Sequence, residues 1–154
     1  MSTKTIAAVG VIAVAAAVAP YYCGKVTEDK FRAKIEQAEL ALGGGFKFRV
    51  LEYNKGWLSS EAVSSISVNG LPTAAVKLKH KISHGPYSYL GYGNVVTTPD
   101  LGPAAVQLER LGLPKEIMKI ETGIAFGNRY NNKISSPPFE FRMGGEGIVW
   151  GGLE

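Results

Sequence analysis

From Thr5 to Gly24 the chain carries no charged residue, and from Ile6 to Ala19 it is an unbroken run of alanine, valine and isoleucine with a single glycine. No other feature constrains the fold as strongly, because such a run must be buried in something apolar. A helix rises 1.5 Å per residue, so Ile6 to Cys23 covers about 27 Å against a hydrocarbon core of roughly 30 Å. The segment predicts a membrane helix with Ile6, Val9, Val11, Ile12, Val14 and Val18 in lipid. Tyr21 and Tyr22 then fall at the headgroups, where amphipathic rings are favoured. A cleaved signal peptide competes with this reading, since Lys4 ahead of an apolar stretch is its pattern too. Ala17-Val18-Ala19 resembles a cleavage site, yet Pro20 would follow the cut; Ala13-Val14-Ala15 is the other candidate. An uncleaved signal-anchor over residues 1–24 is the expectation taken forward.

Positive charges alone favour a cytoplasmic C-terminal side, with Lys4 before the run and Lys25, Lys30, Arg32 and Lys34 after it. Glu28, Asp29, Glu36 and Glu39 offset those charges locally, and the rule weakens for long translocated segments. The lone Cys23 cannot form an intrachain disulfide; it reads as a small apolar residue at the end of the run.

Residues 25–45 read as an amphipathic helix and its stop. Phe31, Ile35, Ala38 and Leu42 make one apolar stripe, and Gly43-Gly44-Gly45 supplies the left-handed turn that ends a helix. From residue 46 to 154 strand patterns dominate. Phe46, Phe48 and Val50 alternate with Lys47 and Arg49, and Asn54-Lys55-Gly56 makes a turn. Leu58, Ala62, Ile66 and Val68 continue on a second strand that Asn69-Gly70 closes with hairpin chemistry. A third, Ala75 to Ser83, sets Val76, Leu78, His80 and Ile82 opposite Lys77, Lys79 and Lys81. Three sequential strands with short links predict an antiparallel meander. Beyond it, Pro103 to Leu111 reads as a short helix, Ile117 to Phe126 and Phe139 to Met143 as strands, and Asn128 to Pro138 as a loop or frayed hairpin. Gly147 to Trp150 reads as a further strand, belonging to a truncated member of a longer family or to an edge completed by a partner. The fold class expected is α+β: a transmembrane helix running into an amphipathic helix, then a mostly antiparallel β meander with one short helix.

The stretch Tyr53-x-x-Gly56-Trp57-Leu58-Ser59-Ser60, followed by Ile82-Ser83-His84-Gly85-Pro86, resembles the N-terminal part of the YdgA-like family of bacterial envelope proteins. Leu58 stands where that family has phenylalanine. The resemblance implies an inner-membrane anchor with the bulk of the chain periplasmic, and it supplies no catalytic residue. Tyr53, Gly56, Trp57, Ser59, Ser60, His84, Gly85 and Pro86 are its motif positions, read as structural.

Candidate sites are sparse. His80 and His84 have the spacing of a helical zinc pair, but on a strand four residues span roughly 13 Å, too far to share one metal. His80 reads as a core residue with a hydrogen-bonded ring, and His84 as a turn residue bonding local backbone. Gly56-Trp57-Leu58-Ser59-Ser60 lacks the glycine after serine of a nucleophile elbow and has no evident histidine partner; Trp57 reads as a core plug. Asp29 and Asp100 are the only aspartates, and no acid pair stands out. Gly91-Tyr92-Gly93 reads as a turn, since it lacks a strand-to-helix context for phosphate. Lys77, Lys79 and Lys81 form the one charge stripe, a solvated face or a contact for anionic surfaces. A net charge of +4, dispersed along the chain, gives no case for nucleic acid.

The function expected is a membrane-anchored periplasmic interaction or assembly protein without catalytic activity. The alternative is a module binding lipid or another apolar ligand at the envelope. Membrane lipids and an envelope protein or second copy are the expected partners; no cofactor and no metal are expected.

Overall fold

The computed structural model describes residues 3–69, 71–85, 91–125, 127, 129–143 and 146–153, with side chains described at 19–69, 75–85, 92–125, 127, 129–140 and 148–153. Helix α1 (Thr3–Ala41) leads into β1 (Phe46–Lys55), β2 (Ser59–Val68), β3 (Leu71–His84) and β4 (Gly91–Asp100). After α2 (Ala104–Arg110) come β5 (Lys119–Ala125), β6 (Tyr130–Ser135), β7 (Phe139–Met143) and β8 (Glu146–Trp150). Strands β1 to β6 form one sheet in chain order, every neighbouring pair antiparallel. Strands β7 and β8 pair with each other and are tied to the rest by a bridge between Ser136 and Leu153.

One face of the sheet lies under α1. Alternation fixes which residues face it: Ser60, Ala62 and Ser64 from β2, His80, Ile82 and His84 from β3, and Gly93, Val95 and Thr97 from β4 are all buried. Ala62, Ile82, Val95 and Ile124, one from each of four successive strands, make a row that Phe31 of α1 caps. Val50 and Tyr53 join them although they stand three positions apart, an odd step on a strand. The reason is a bulge at Leu51, which shifts the β1–β2 register between Val50 and Glu52 and returns Tyr53 to the covered face. On the opposite face Lys77, Lys79 and Lys81 are exposed, and Lys79 pairs with Asp100 at 3.1 Å.

The structure corrects the N-terminal expectation. The buried stripe of α1 does not begin at Phe31 but reaches back through Thr27, Gly24 and Cys23 to Pro20, at the three- and four-residue spacing of one helix face. The last turn of the expected membrane span is thus packed on the sheet. That leaves Ile6 to Ala19, about 21 Å at helical rise, which falls short of a roughly 30 Å core. Among the described residues no helix is long and apolar enough to cross a membrane. The transmembrane helix, the signal-anchor, the single-pass inner-membrane placement and the membrane-anchored function built on them are therefore withdrawn. The side chains of Ile6, Val9, Val11, Ile12, Val14 and Val18 lie outside those described. Leu42, expected on the stripe, is exposed beyond the helix end.

One strand escaped sequence reading: Gly91-Tyr92-Gly93 is the start of β4, not a turn. Of the loop or frayed hairpin expected over 128–138, the hairpin is what forms, with β6 pairing on β5. Gly91 and Gly93 in β4, and Asn131 and Asn132 in β6, are residues of low strand propensity. In β4 the first turn of the ladder is bulged between Gly91 and Gly93, which hides its alternation.

Candidate functional site

The chemistry-bearing side chains gather where α1 lies on the sheet. Serines four apart on β2 face histidines four apart on β3, and the antiparallel register sets each serine diagonal to a histidine. Ser64 Oγ lies 2.7 Å from His80 Nε2 and Ser60 Oγ lies 3.0 Å from His84 Nε2. His80 is satisfied on both sides, since its Nδ1 meets Thr97 Oγ1 at 2.8 Å, and its ring stands edge-on to Phe31 with centroids 4.8 Å apart. Burial lowers its pKa to about 4, so it is a neutral core residue near pH 7.

His84 differs. The residue is 1% exposed, yet among the described residues Nδ1 finds no hydrogen-bond partner of good geometry. Burial pushes its pKa down; the Pro20 backbone acts the other way, Lys55 lowers it further, and the Ser59 backbone raises it. Nearby, the Tyr53 hydroxyl is also buried without a hydrogen bond. Burial pushes that phenol up, against the pull of the adjacent Ser60 hydroxyl.

Two glycines let the layers approach so closely. A β-carbon on Gly24 would lie 2.8 Å from His84 Cε1, so the helix has a notch that receives the imidazole. In return Thr27 enters a notch in the sheet at Gly93, where a β-carbon would lie 3.0 Å from Thr27 Oγ1 and 2.6 Å from the Ser83 carbonyl oxygen. The Thr27 hydroxyl, fully buried, donates to the Cys23 carbonyl at 2.7 Å and sits 3.1 Å from the Tyr92 carbonyl. Sheet knob into helix notch and helix knob into sheet notch together fix the position of α1.

Around this dock lies an exposed rim. Gly56 allows a tight β1–β2 turn, donating its N–H to the Ser59 carbonyl at 2.9 Å, and the turn lifts Trp57 and Leu58 outward. Trp57 is 60% exposed and Leu58 51%, so Trp57 does not plug the core as its motif position had implied. Tyr21 and Tyr22 on α1 are 61% and 60% exposed. Lys55 joins the two elements, its ammonium 4.5 Å from the Tyr21 ring centroid. Leu58 in turn accepts the His84 backbone N–H at 3.0 Å, tying the turn to the end of β3.

The structure therefore brings together Tyr53, Ser60 and His84, motif positions distant in sequence, and sets Gly56, Trp57 and Ser59 at the adjoining turn. Gly85 is buried beside them at φ 131°, a backbone that glycine alone adopts readily; Pro86 lies outside the described residues. His84 bonds a side chain, not the local backbone its turn position had implied. Lys77, Lys79 and Lys81 stand apart on the far face. Sequence reading missed Gly24, Thr27, Ser64, Gly93 and Thr97. Ser60, expected to lack a histidine partner, has one in His84, and the i, i+4 matching of Ser60 and Ser64 with His80 and His84 is the signal that could have found both pairs.

A serine 3.0 Å from a histidine has the reach of a nucleophile and its base. Here Ser60 is 2% exposed beneath α1, and among the described residues no acid hydrogen-bonds the far nitrogen of His84, so the pair lacks the third group that orients the base of a triad. Among the described residues no group of three or more histidine, cysteine or carboxylate side chains is placed to hold a metal.

Fold and site define an α+β domain with a long helix keyed onto an open antiparallel meander. Over residues 3–154 the chain matches the family described as "Bacterial protein of unknown function (DUF945)", and it belongs to that family. The match covers nearly the whole chain and not an N-terminal portion of it. No curated protein and no solved structure matches the chain.

Proposed function

We propose that this chain is a non-catalytic protein-interaction module whose contact surface is the aromatic rim of the helix dock. The observation that carries the reading is Trp57, held 60% exposed at a turn that Gly56 makes possible, on the strand end whose Lys55 reaches Tyr21 of an equally exposed pair of tyrosines. Exposing a large apolar ring to water is unfavourable, and tryptophan and tyrosine are the side chains most enriched at the energetic centres of interfaces. The rim also stands on rigid parts. Tyr21 and Tyr22 sit on a helix keyed at two notches, and Trp57 sits on a hairpin bonded to β3, so little ordering entropy is lost on binding. The reading needs no cofactor, and it gives membrane lipid no part. The finer likeness of Tyr53–Ser60 and Ile82–Pro86 to the N-terminal part of YdgA-like proteins supports it only in that the motif builds this rim.

A photo-crosslinking amino acid placed at Trp57, and separately at Lys79 on the opposite face, tests the reading in bacteria producing the chain. Discrete protein adducts from position 57 and none from 79 are expected. Their absence at 57, or equal yields at both positions, overturns it. An adduct of twice the chain's own mass identifies a second copy as the partner.

A further inference from the structure

We propose that His84, seated in the notch at Gly24, makes the dock of α1 a proton-sensitive latch: a proton on its ring lifts Pro20–Thr27 off the sheet and carries Tyr21 and Tyr22 away from Lys55 and the turn that bears Trp57. The second half rests on the rim being the contact surface; the first does not.

The surroundings of the ring disfavour its protonated form on balance. Around His84 are Gly24 and the Pro20 backbone from α1 and Ser59 and Ser60 from β2, with the Lys55 charge of β1 acting on the ring and Tyr53 of β1 beside Ser60. Among the described residues the only formal charge acting on it is the Lys55 ammonium, of like sign. A buried ion without a counter-charge is costly; the Pro20 and Ser59 backbones favour the charged ring, but burial outweighs them and Lys55 adds to it. Water can solvate the charged ring only if the helix moves, because Gly24 is in contact with it and any lateral shift meets Thr27 in its own notch.

The weak point of the dock is also at this end. Phe31, the large apolar anchor of α1, packs further along, over His80. Between Pro20 and Thr27 the buried stripe consists of a proline, a cysteine, a glycine and a threonine, which bury little apolar area. This segment opens before the Phe31 end does.

Burial depresses the His84 pKa below the ordinary 6.5. The closed state therefore excludes the proton and the open state takes it. Above pH 6.5 both are neutral and the latch is at full strength. As pH falls below 6.5 the closed-to-open ratio drops by up to tenfold per pH unit, until the closed-state pKa is reached.

Cys23, the only cysteine and buried in the same stretch, is a built-in reporter. Its reaction with 4,4′-dithiodipyridine is followed from pH 7.5 to 5, each rate divided by that of the urea-unfolded chain at the same pH to remove thiol ionisation. Protection is expected to fall through this range in the wild type and to stay flat in His84→Gln, whose amide can still bond Ser60 but does not titrate. Far-UV circular dichroism confirms that each protein remains folded. Flat protection in the wild type, or an equal fall in His84→Gln, overturns the latch. Crosslinking from position 57 over the same pH range separates the two ideas. Yields that track Cys23 protection support both. If Cys23 responds and position 57 gives no adducts at any pH, the latch stands and the interaction surface fails; if adducts form while Cys23 stays protected, the surface stands and the latch fails.

Discussion

The imidazole of His84 rests directly on the α-carbon of Gly24, leaving no room for a methyl group, which would sit 2.8 Å from Cε1 and 2.9 Å from Nδ1. Replacing Gly24 with alanine sets two terms against each other. Helix propensity improves by about 1 kcal/mol, while overpacking a filled site costs about 1–3 kcal/mol. The ring is boxed in and cannot give way cheaply, so the steric term wins. Gly24→Ala is expected to lower stability by about 1 kcal/mol in urea unfolding. In a His84→Ala background the same change should become neutral or stabilising, a coupling that a double-mutant cycle reads directly.

The reciprocal notch is less forgiving. A β-carbon on Gly93 would meet the backbone oxygen of Ser83 at 2.6 Å as well as Thr27 at 3.0 Å. A side chain can rotate, but a carbonyl paired in a ladder cannot. Gly93→Ala is expected to cost more than Gly24→Ala, about 2–3 kcal/mol, seen as a fall in Tm of roughly 4–12 °C in a chain this size. Thr27→Ser, which removes the methyl 3.2 Å away but leaves the Ser83 oxygen in place, should not rescue it.

His80 sets a separate acid dependence for the whole domain. Its pKa lies at about 4 when folded, with burial as the cause, against 6.5 when unfolded. Folding thus excludes a proton that the unfolded chain accepts. Stability is complete above pH 6.5 and declines as pH drops toward about 4, by up to about 3 kcal/mol. Urea midpoints at pH 7.5 and pH 5 check the sign. Thr97→Val keeps the shape but removes the hydroxyl 2.8 Å from Nδ1, and is expected to cost about 1–3 kcal/mol at pH 7.5.

Where sequence and structure agree, a periodic signal was carried by several residues at once. The meander of β1 to β3 was readable because Phe46, Phe48 and Val50, and later Val76 to Ile82, alternate cleanly, and glycines or Asn69-Gly70 mark the turns between them. The stripe through Phe31 and Ile35 was readable for the same reason. The dock was not. It is built from glycine, threonine, serine and histidine, residues that hydropathy ranks as neutral or polar, and their burial depends on a cross-sheet register no local pattern reveals. The apolar run before Pro20 then dominated the reading of residues 20–24, although Pro20, Cys23 and Gly24 belong to the protein's own interior.

The exposed rim separates stability from binding, and that separation is the sharpest test of its role. Trp57 carries much of its ring in water, so Trp57→Ala removes little buried area and should change unfolding free energy by no more than about 0.5 kcal/mol. If the rim is a contact surface, the same change should weaken partner binding by about 2 kcal/mol or more, roughly thirtyfold in Kd. Gly56→Ala is the contrasting case. A β-carbon there would lie 2.3 Å from the Ser59 carbonyl oxygen that closes the turn, so the hairpin must distort and stability and binding fall together. A third variant, Lys77→Gln with Lys79→Gln and Lys81→Gln, neutralises the far face, where Lys79 loses only a surface ion pair worth at most about 1 kcal/mol. Binding that survives loss of Trp57 but not of these lysines would move the contact surface to the opposite side of the sheet.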